Sequence, residues 1–294
     1  MNLNDLLRGK DIDPEKVLVI RHRPYEPKLN RALPWLAAEQ PEIFNAYQRS
    51  QGAPLERAME KLVGTGYLAS FIGLKPGKAL FVALYSIAGA TSQSYDEYWG
   101  RLENQELKKL GAVGWAKEET RTSVLWFDLN PTDFYHEWKG RMSICWPPPE
   151  LSFWRRAHKN NMPVVSVLEE SALVSAMPGW EEIDLRWEEL RVLPEGWKAA
   201  LKEWRAIYYI FDESDRKGYV GSAYGESNLL GRWLQYAKSG HGGDRLLRGR
   251  NPQDFRFSIL QRPSPDMNAD DVIRLEASWK NRLHTRHPLG LNDN

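Results

Sequence analysis

The chain has 294 residues, of which 42% are hydrophobic and 27% charged, and its formal net charge at pH 7 is +1. This length accommodates two ordinary domains, and the composition excludes a disordered or fibrous protein. The single cysteine, Cys145, excludes an internal disulfide and a cysteine-cluster metal site.

We expect neither a secretory signal nor a transmembrane segment. The N-terminal region contains acids and no apolar core, and the longest apolar stretch, 79–90, is too short to cross a bilayer. A lone cysteine is also typical of a reducing compartment. The sequence therefore predicts a cytoplasmic protein that does not associate with membranes.

The first part of the chain predicts a mixed, β-rich domain. Residues 1–60 predict helices around one strand at 16–20, with Pro41 at the start of a helix. Short runs rich in β-branched and aromatic residues then predict a compact sheet or partly open barrel within 66–169. The predicted strands are 66–73, 79–89, 123–129, 141–146 and 163–169.

An acidic stretch that contains several tryptophans, 176–197, is interpreted as a connector. We place the domain boundary near Pro194–Lys202. Residues 1–200 then form one domain, and residues 203–294 form a second, smaller domain.

The second domain has the predicted order β-β-α-β-α. Turn residues separate its first two strands, Gly240 ends the first helix, and Asn268 can cap the second helix. The predicted elements are strands 205–211 and 218–222, helix 228–240, strand 254–261 and a final helix from Asn268.

The final helix carries an acid on its apolar face. Val272, Glu276, Trp279 and Leu283 follow one another at spacings of three and four residues, which places them on one side of a helix. An unpaired buried carboxylate is costly. Glu276 is therefore either paired with a neighbouring arginine or bound to a metal ion, and the helix alone leaves both open.

The first hairpin of the second domain adds a motif. Ala206-Ile207-Tyr208 and Tyr219-Val220-Gly221 lie on the two predicted antiparallel strands. The pair resembles the two tripeptides that name the GIY-YIG nuclease family. Three further positions match that family in order: Arg232 followed by Trp233, Glu276 in the last helix, and Asn292 near the end of the module. The resemblance covers about residues 205–294.

The resemblance implies an α+β fold and a DNA endonuclease. The C-terminal module would be a three-stranded antiparallel sheet with flanking helices, preceded by the larger β-rich domain. Its activity would depend on Mg²⁺, for which Mn²⁺ can substitute, and Glu276 would be the metal ligand. A hard ion held by one carboxylate, water and phosphate oxygens suits magnesium.

The resemblance also implies roles for the other matched residues. Arg232 would brace the scissile phosphate with its planar donor fork. Tyr208 would be the general base or the group that positions water, and Tyr219 would support it or contact the phosphate. Asn292 would buttress the glutamate end of the site.

Two positions depart from the family pattern. Ala206 replaces the first glycine, which is a change between small residues. Tyr236 lies four residues after Arg232, where many members of the family carry histidine. Tyr236 can share the proton-transfer role, so the identity of the base is left open among the tyrosines.

A glycine-rich loop and a basic stretch follow the first helix of the module. His241 lies in the loop, and Arg245, Arg248 and Arg250 follow it closely. These four residues are candidates for DNA contact, because arginines in such stretches bind phosphate. For His241 an exposed loop position without a function explains the sequence equally well.

The larger domain matches no family that we recognise, and we expect it to target the nuclease. Its tryptophans either fill the core or stack on an extruded or modified base. These tryptophans are Trp99, Trp115, Trp126, Trp138, Trp146 and Trp154.

A restriction or defence nuclease is the leading hypothesis for the whole chain. A structure-specific repair nuclease, a homing-type enzyme and a non-catalytic binding protein are the alternatives. Because one such site nicks one strand, a double-strand break needs a homodimer or two successive visits.

Overall fold

The computed structural model describes residues 1–116, 121–174, 176–225 and 228–293. These residues form two compact units, Met1–Ser175 and Ala176–Asn294. Both units combine helices with sheets, so the α+β class is confirmed. Within the described residues, no helix is both long enough and apolar enough to span a membrane.

The first unit alternates short helices with strands. Its elements are α1 (Leu3–Arg8), β1 (Val17–His22), α2 (Pro27–Glu39), α3 (Pro41–Arg49), α4 (Ala53–Glu60), β2 (Tyr67–Ile72), β3 (Lys78–Gln93), α5 (Tyr95–Gly100), α6 (Leu102–Lys109), β4 (Val124–Pro131), β5 (Met142–Cys145), β6 (Trp154–Arg156) and β7 (Val164–Val167).

One mixed sheet organises this unit. Its strand order is β6-β1-β2-β3-β5-β7, and β4 pairs with the second half of the long strand β3. Only the β1–β2 pair is parallel among the described strands. All the strands predicted in this region are confirmed, whereas β6 escaped prediction because a three-residue segment with two arginines has no β pattern.

Helices α2, α3 and α6 pack together against one region of this sheet. Leu36 of α2, Phe44 of α3 and Leu107 of α6 share a buried cluster with Val82 of β3 and Val124 of β4. Burial of such side chains stabilises the layer by about 2 kcal/mol each. The ends of these helices, together with the C-terminal end of β1, surround a cavity.

The second unit contains the predicted β-β-α-β-α order and two additional elements before it. Its elements are β8 (Asp184–Arg186), α7 (Glu195–Glu203), β9 (Ala206–Asp212), β10 (Lys217–Ala223), α8 (Asn228–Ser239), β11 (Phe255–Gln261) and α9 (Ala269–Arg282). The Asn268 side chain accepts a hydrogen bond from the backbone of Asp271, so the predicted helix cap is confirmed.

The sheet of the second unit has four strands instead of the three that were expected. Its order is β10-β9-β11-β8, because β8 adds to the free edge of β11. Leu185, Leu190 and Leu193 of the expected connector are buried in the core of this unit. The boundary therefore lies at 175/176 and not near Pro194–Lys202. The acidic composition of 176–197 made these leucines hard to recognise as core residues. Their burial makes the segment part of the second unit.

The two faces of this sheet carry different layers. Residues that pair directly across antiparallel strands share a face, and Tyr208 pairs with Gly221 while Ile207 pairs with Ser222. Tyr208 belongs to the cluster with Trp233 of α8. Ile207 belongs to the cluster with Val272 of α9. Thus α8 covers one face and α9 covers the other.

Candidate functional site

Three tyrosines and one aspartate meet on the α8 face of the second sheet. The Tyr208 and Tyr236 hydroxyl oxygens are 3.1 Å apart. The Tyr236 hydroxyl donates to Asp244 Oδ2 at 2.9 Å, and the Tyr219 hydroxyl donates to Asp244 Oδ1 at 3.0 Å. The structure therefore brings together the three tyrosines that the sequence singled out.

The single proton on each hydroxyl fixes the direction of this chain. Since Tyr236 donates its proton to Asp244, its oxygen accepts the hydrogen bond from Tyr208. Both oxygens of the Asp244 carboxylate are thereby occupied by phenolic donors. Charge-assisted hydrogen bonds of this kind are stronger than neutral ones, so Asp244 is the anchor of the cluster.

Asp244 was missed in the sequence analysis. It closes the glycine-rich loop that begins after α8, in the run Ser239-Gly240-His241-Gly242-Gly243-Asp244. A carboxylate after such a loop was the only available signal, and the basic residues that follow form a stronger pattern. Gly242 has a φ of +56°, and a Cβ there would lie 2.6 Å from the Tyr236 ring. Glycine at this position lets the loop close over Tyr236.

Burial keeps these tyrosines protonated. Tyr208 and Tyr236 are fully buried, whereas Tyr219 retains 7% of its surface. Desolvation raises the pKa of Tyr208 above its ordinary value, although the nearby Arg232 guanidinium opposes this. Desolvation and the Asp244 carboxylate raise the pKa of Tyr219 and Tyr236 as well. At neutral pH none of the three is a phenolate.

Arg232 lies beside this cluster on α8. Its guanidinium carbon is 5.8 Å from the centroid of the Tyr236 ring. One terminal nitrogen donates to Gln235 at 3.1 Å, and the buried Nε has no hydrogen-bond partner among the described residues. The structure thus places a cation with an unused donor next to the tyrosines, as the resemblance implied.

Glu276 lies on the opposite, α9 face of the sheet. Its Oε1 forms an ion pair of 2.6 Å with Lys280, which is one helical turn later and almost fully buried. Its Oε2 accepts a hydrogen bond from the Ser222 hydroxyl of β10. The acid on the apolar helix face therefore does have a cationic partner, and the partner is a lysine of its own helix rather than an arginine.

Glu276 and the tyrosine cluster meet only at the edge strand β10. Gly221 contacts the Tyr208 ring on one face, where a Cβ would overlap the ring, and the next residue, Ser222, contacts Glu276 on the other face. Tyr208, the expected base, thus does not directly contact Glu276, the expected metal ligand. The alternation of side chains along a strand separates the two groups.

Asn292 fixes β10, the strand that lies between the tyrosine cluster and Glu276. Its Oδ1 accepts from the Val220 backbone NH at 2.9 Å, and its Nδ2 donates to the Val220 carbonyl at 2.8 Å. This pair of bonds replaces the partner that an edge strand lacks. Asn292 was expected to buttress Glu276, but its contacts are with the backbone between Tyr219 and Gly221.

The basic stretch is mostly committed to internal ion pairs. Arg250 pairs with Asp212 at 2.6 Å and Asp215 at 2.8 Å, next to the turn between β9 and β10. Arg245 binds Asp293 through two hydrogen bonds of 2.7 and 2.5 Å. These carboxylates pair with the two guanidinium groups, and contact of either arginine with DNA stays a prediction.

Arg248 and His241 remain as candidates for phosphate contact. Arg248 is exposed and donates to the carbonyl of Gly243 at 3.2 Å. His241 accepts a hydrogen bond from the Gly243 backbone through Nδ1 at 3.0 Å, so it also stabilises the loop. Of the four predicted DNA-binding residues, Arg248 has the guanidinium least committed to partners within the chain.

A divalent cation fits the Glu276 end of the site on chemical grounds. No group of three or more histidine, cysteine, aspartate or glutamate side chains occurs in the described part of the chain. Magnesium does not need such a group, because it keeps several water ligands and uses one or two protein oxygens. The Glu276 carboxylate and the Ser222 hydroxyl supply two hard oxygens. The Lys280 ammonium competes with a metal ion for the same carboxylate.

Comparison of the whole chain with protein-family profiles, with curated proteins and with solved structures gives no match. The similarity to GIY-YIG nucleases therefore rests on the residues described above.

Proposed function

We propose that the second unit is a Mg²⁺-dependent DNA endonuclease that acts in the cytoplasm. The observation that carries this proposal is the cluster of Tyr208, Tyr219 and Tyr236 on Asp244, with Arg232 beside it. The tyrosines and Arg232 come from a β-hairpin and the following helix in the order of the resemblance, and Asp244 comes from the loop after that helix. Packing alone does not require two hydroxyls on one carboxylate and a third hydroxyl bonded to one of them.

The exposures favour Tyr219 over Tyr208 as the group that receives the proton from water. Tyr208 is fully buried, whereas Tyr219 retains 7% of its surface and donates directly to Asp244 Oδ1. Because its own proton can pass to Asp244, the Tyr219 oxygen can accept one from water without forming a phenolate. Tyr208 then acts through Tyr236 by holding the carboxylate in place.

The remaining residues stabilise charge. Arg232 is half-buried, and the accessible part of its guanidinium would bind a phosphate oxygen. Glu276 and Ser222 would hold Mg²⁺ at the edge of β10. When bound, the ion supplies a Lewis acid for the phosphodiester. Asn292 fixes β10, the strand that contacts both the tyrosine cluster and Glu276.

A plasmid-nicking assay tests the nuclease proposal. The wild-type protein should nick supercoiled DNA with Mg²⁺ or Mn²⁺ and not in excess EDTA. Glu276→Gln should lower the rate by about a hundredfold or more. Asp270→Asn is the matched control, since Asp270 is an exposed acid in the first turn of the same helix. Equal rates for the wild type and Glu276→Gln would refute the metal assignment.

A non-catalytic nucleic-acid-binding protein is the second candidate. The observation that favours it is the double engagement of Glu276, whose two oxygens bind Lys280 and Ser222. This alternative predicts DNA binding without cleavage under any metal condition. The nicking assay combined with a gel shift on the same samples separates the two functions.

The biological role that we propose is restriction or defence, with substrate selection by the first unit. Digestion of plain, methylated and hydroxymethylated duplexes, next to single-stranded and branched DNA, distinguishes this role from structure-specific repair. Preference for branched DNA over every duplex would favour repair. Measurement of the protein's mass in solution with and without DNA tests the homodimer that a double-strand break requires.

A further inference from the structure

Glu276 and Lys280 of α9 form an ion pair in which both charges are largely buried. The nitrogen–oxygen distance is 2.6 Å, and only 18% of the Glu276 side chain and 8% of the Lys280 side chain are exposed. Four other pairs within helices each keep at least one partner mostly exposed, namely Asp5–Arg8, Glu106–Lys109, Glu195–Lys198 and Asp271–Arg274. Of these five pairs, Glu276–Lys280 is the one that removes both charges from water.

The stability of the second unit does not explain this pair. An exposed ion pair contributes little to stability, and a buried one often contributes no more than apolar side chains would, because both charges lose their water. Apolar residues already cover the same face of the sheet, where Val272 of α9 shares a buried cluster with Ile207 of β9 and Val220 of β10. Two charged side chains on this face therefore indicate a function that needs charge.

The Lys280 ammonium lies where a cation bound to Glu276 would lie. The Ser222 hydroxyl donates to Oε2 of Glu276, and the ammonium pairs with Oε1. A magnesium ion on Oε1 would approach that oxygen to about 2.1 Å. Two cations on one carboxylate oxygen repel each other strongly at this separation. The ammonium and a divalent ion therefore exclude each other from the same carboxylate oxygen.

A lysine is suited to reversible displacement. Its ammonium is one compact charge on a flexible four-carbon stem, whereas the planar fork of an arginine binds a carboxylate in a fixed geometry. Because Lys280 and Glu276 belong to the same helix, the ammonium is a tethered competitor with an effective concentration of about millimolar or higher. A divalent ion must therefore replace a partner that cannot diffuse away.

We propose that Lys280 is a built-in inhibitor of metal binding. Its ammonium pairs with Glu276 in the metal-free protein, and a divalent ion binds the carboxylate only by displacing it. Lys280 thereby sets the metal concentration at which the site fills, and it keeps a buried carboxylate paired when no metal is bound. This inference rests on the proposed function, because it takes Glu276 as the metal ligand, and it adds a regulation to that function.

A purely structural role for Lys280 predicts an effect of the opposite sign. If Lys280 only orients Glu276, its removal leaves the carboxylate less well placed, and metal binding weakens or stays the same. If Lys280 competes with the metal ion, its removal frees Oε1, and metal binding becomes tighter. The direction of the change in metal affinity therefore separates the two roles without any measurement of cleavage.

The test measures Mn²⁺ binding by the full-length protein in the absence of DNA. Electron paramagnetic resonance of free Mn²⁺ gives the Kd, because the signal of the bound ion is broadened. Lys280→Met replaces the ammonium with an apolar side chain of similar length. It should lower the Kd for Mn²⁺ by about tenfold or more, since binding no longer has to break a charge-assisted hydrogen bond. The Mg²⁺ concentration that gives half-maximal plasmid nicking should fall in parallel.

Three further variants control this measurement. Lys198→Met is the matched control, because it removes another lysine–glutamate pair of 2.6 Å, in α7, and it should leave the Kd unchanged. Glu276→Gln identifies which part of the Mn²⁺ binding depends on the proposed ligand. Lys280→Gln keeps a hydrogen-bond donor for Glu276 but no charge, so it repeats the test if thermal unfolding shows that Lys280→Met does not fold.

Each outcome has one meaning. Tighter Mn²⁺ binding after removal of the Lys280 charge, with no change in Lys198→Met, supports the inhibitor role. Equal or weaker binding overturns that role and leaves Glu276 as the metal ligand. Absence of any binding that depends on Glu276 overturns both the inhibitor role and the metal assignment of the proposed function. Tighter binding in a protein that never cleaves DNA would refute the nuclease proposal and retain the inhibitor role.

Discussion

The two polar clusters of this protein differ in how far they satisfy their own hydrogen bonds. In the second unit, Tyr208, Tyr219 and Tyr236 place all their hydroxyls in a chain that ends on Asp244. In the first unit, buried polar atoms of Arg21 and Asn104 have no hydrogen-bond partner among the described residues. A satisfied network holds catalytic groups in position before substrate arrives, whereas polar atoms that are buried without partners lower stability.

The largest expected effect concerns the N-terminal boundary of the second unit, which contains the hydrogen-bonded tyrosines. A fragment of residues 176–294 should fold and keep metal-dependent cleavage. A fragment of 203–294 should not fold cooperatively, because it lacks Ile183, Leu185, Leu190, Leu193 and Leu201, all buried in the core. Loss of buried leucines costs about 2–5 kcal/mol each. Circular dichroism during thermal unfolding compares the two, and a stable 203–294 would contradict the division at 175/176.

The second prediction concerns the anchor of the tyrosine chain. Asp244→Asn should lower cleavage by about a hundredfold or more and the free energy of unfolding by about 2 kcal/mol, because two phenols lose a charged acceptor. Single-turnover cleavage and urea unfolding measure the two effects. Asp293→Asn is the control, since Asp293 is an exposed carboxylate that likewise accepts two hydrogen bonds, both from Arg245. Similar losses in both variants would remove any special role for Asp244.

A smaller effect should separate the two motif tyrosines. Tyr219→Phe should slow single-turnover cleavage by about a hundredfold, as expected for a lost proton-transfer group. Tyr208→Phe should slow it less and lower the free energy of unfolding by about 1 kcal/mol, because it removes one buried hydrogen bond. If Tyr208→Phe is the slower enzyme, the original assignment of the base to Tyr208 is restored.

The smallest effect is expected at Arg21. Arg21→Met should change the free energy of unfolding by less than about 1 kcal/mol, because an apolar side chain of similar volume replaces a buried cation with unused donors. Asp244→Asn therefore tests a network in which every hydroxyl is hydrogen bonded, and Arg21→Met tests a buried side chain with unused donors. A loss of several kcal/mol in Arg21→Met would indicate that Arg21 stabilises the fold through its contacts with Glu150 and Trp146.

Local patterns in the sequence determined most elements. Alternating and helical spacings predicted β9, β10, α8, β11 and α9, and the Asn268 cap, because those signals depend on neighbouring residues only. The tyrosines, Arg232 and Glu276 were also found as candidates from their order along the chain. Short β6 and β8 were missed, since three residues carry too little pattern.

Tertiary structure alone decided how those candidates meet. The pairing of Tyr208 with Gly221 and of Ile207 with Ser222 places the tyrosines and Glu276 on opposite faces of one sheet. Asp244 belongs to the site because a loop closes over Tyr236, and Asp212 and Asp215 bind the Arg250 guanidinium. Strand register and long-range ion pairs join residues far apart in sequence, and no local pattern records them.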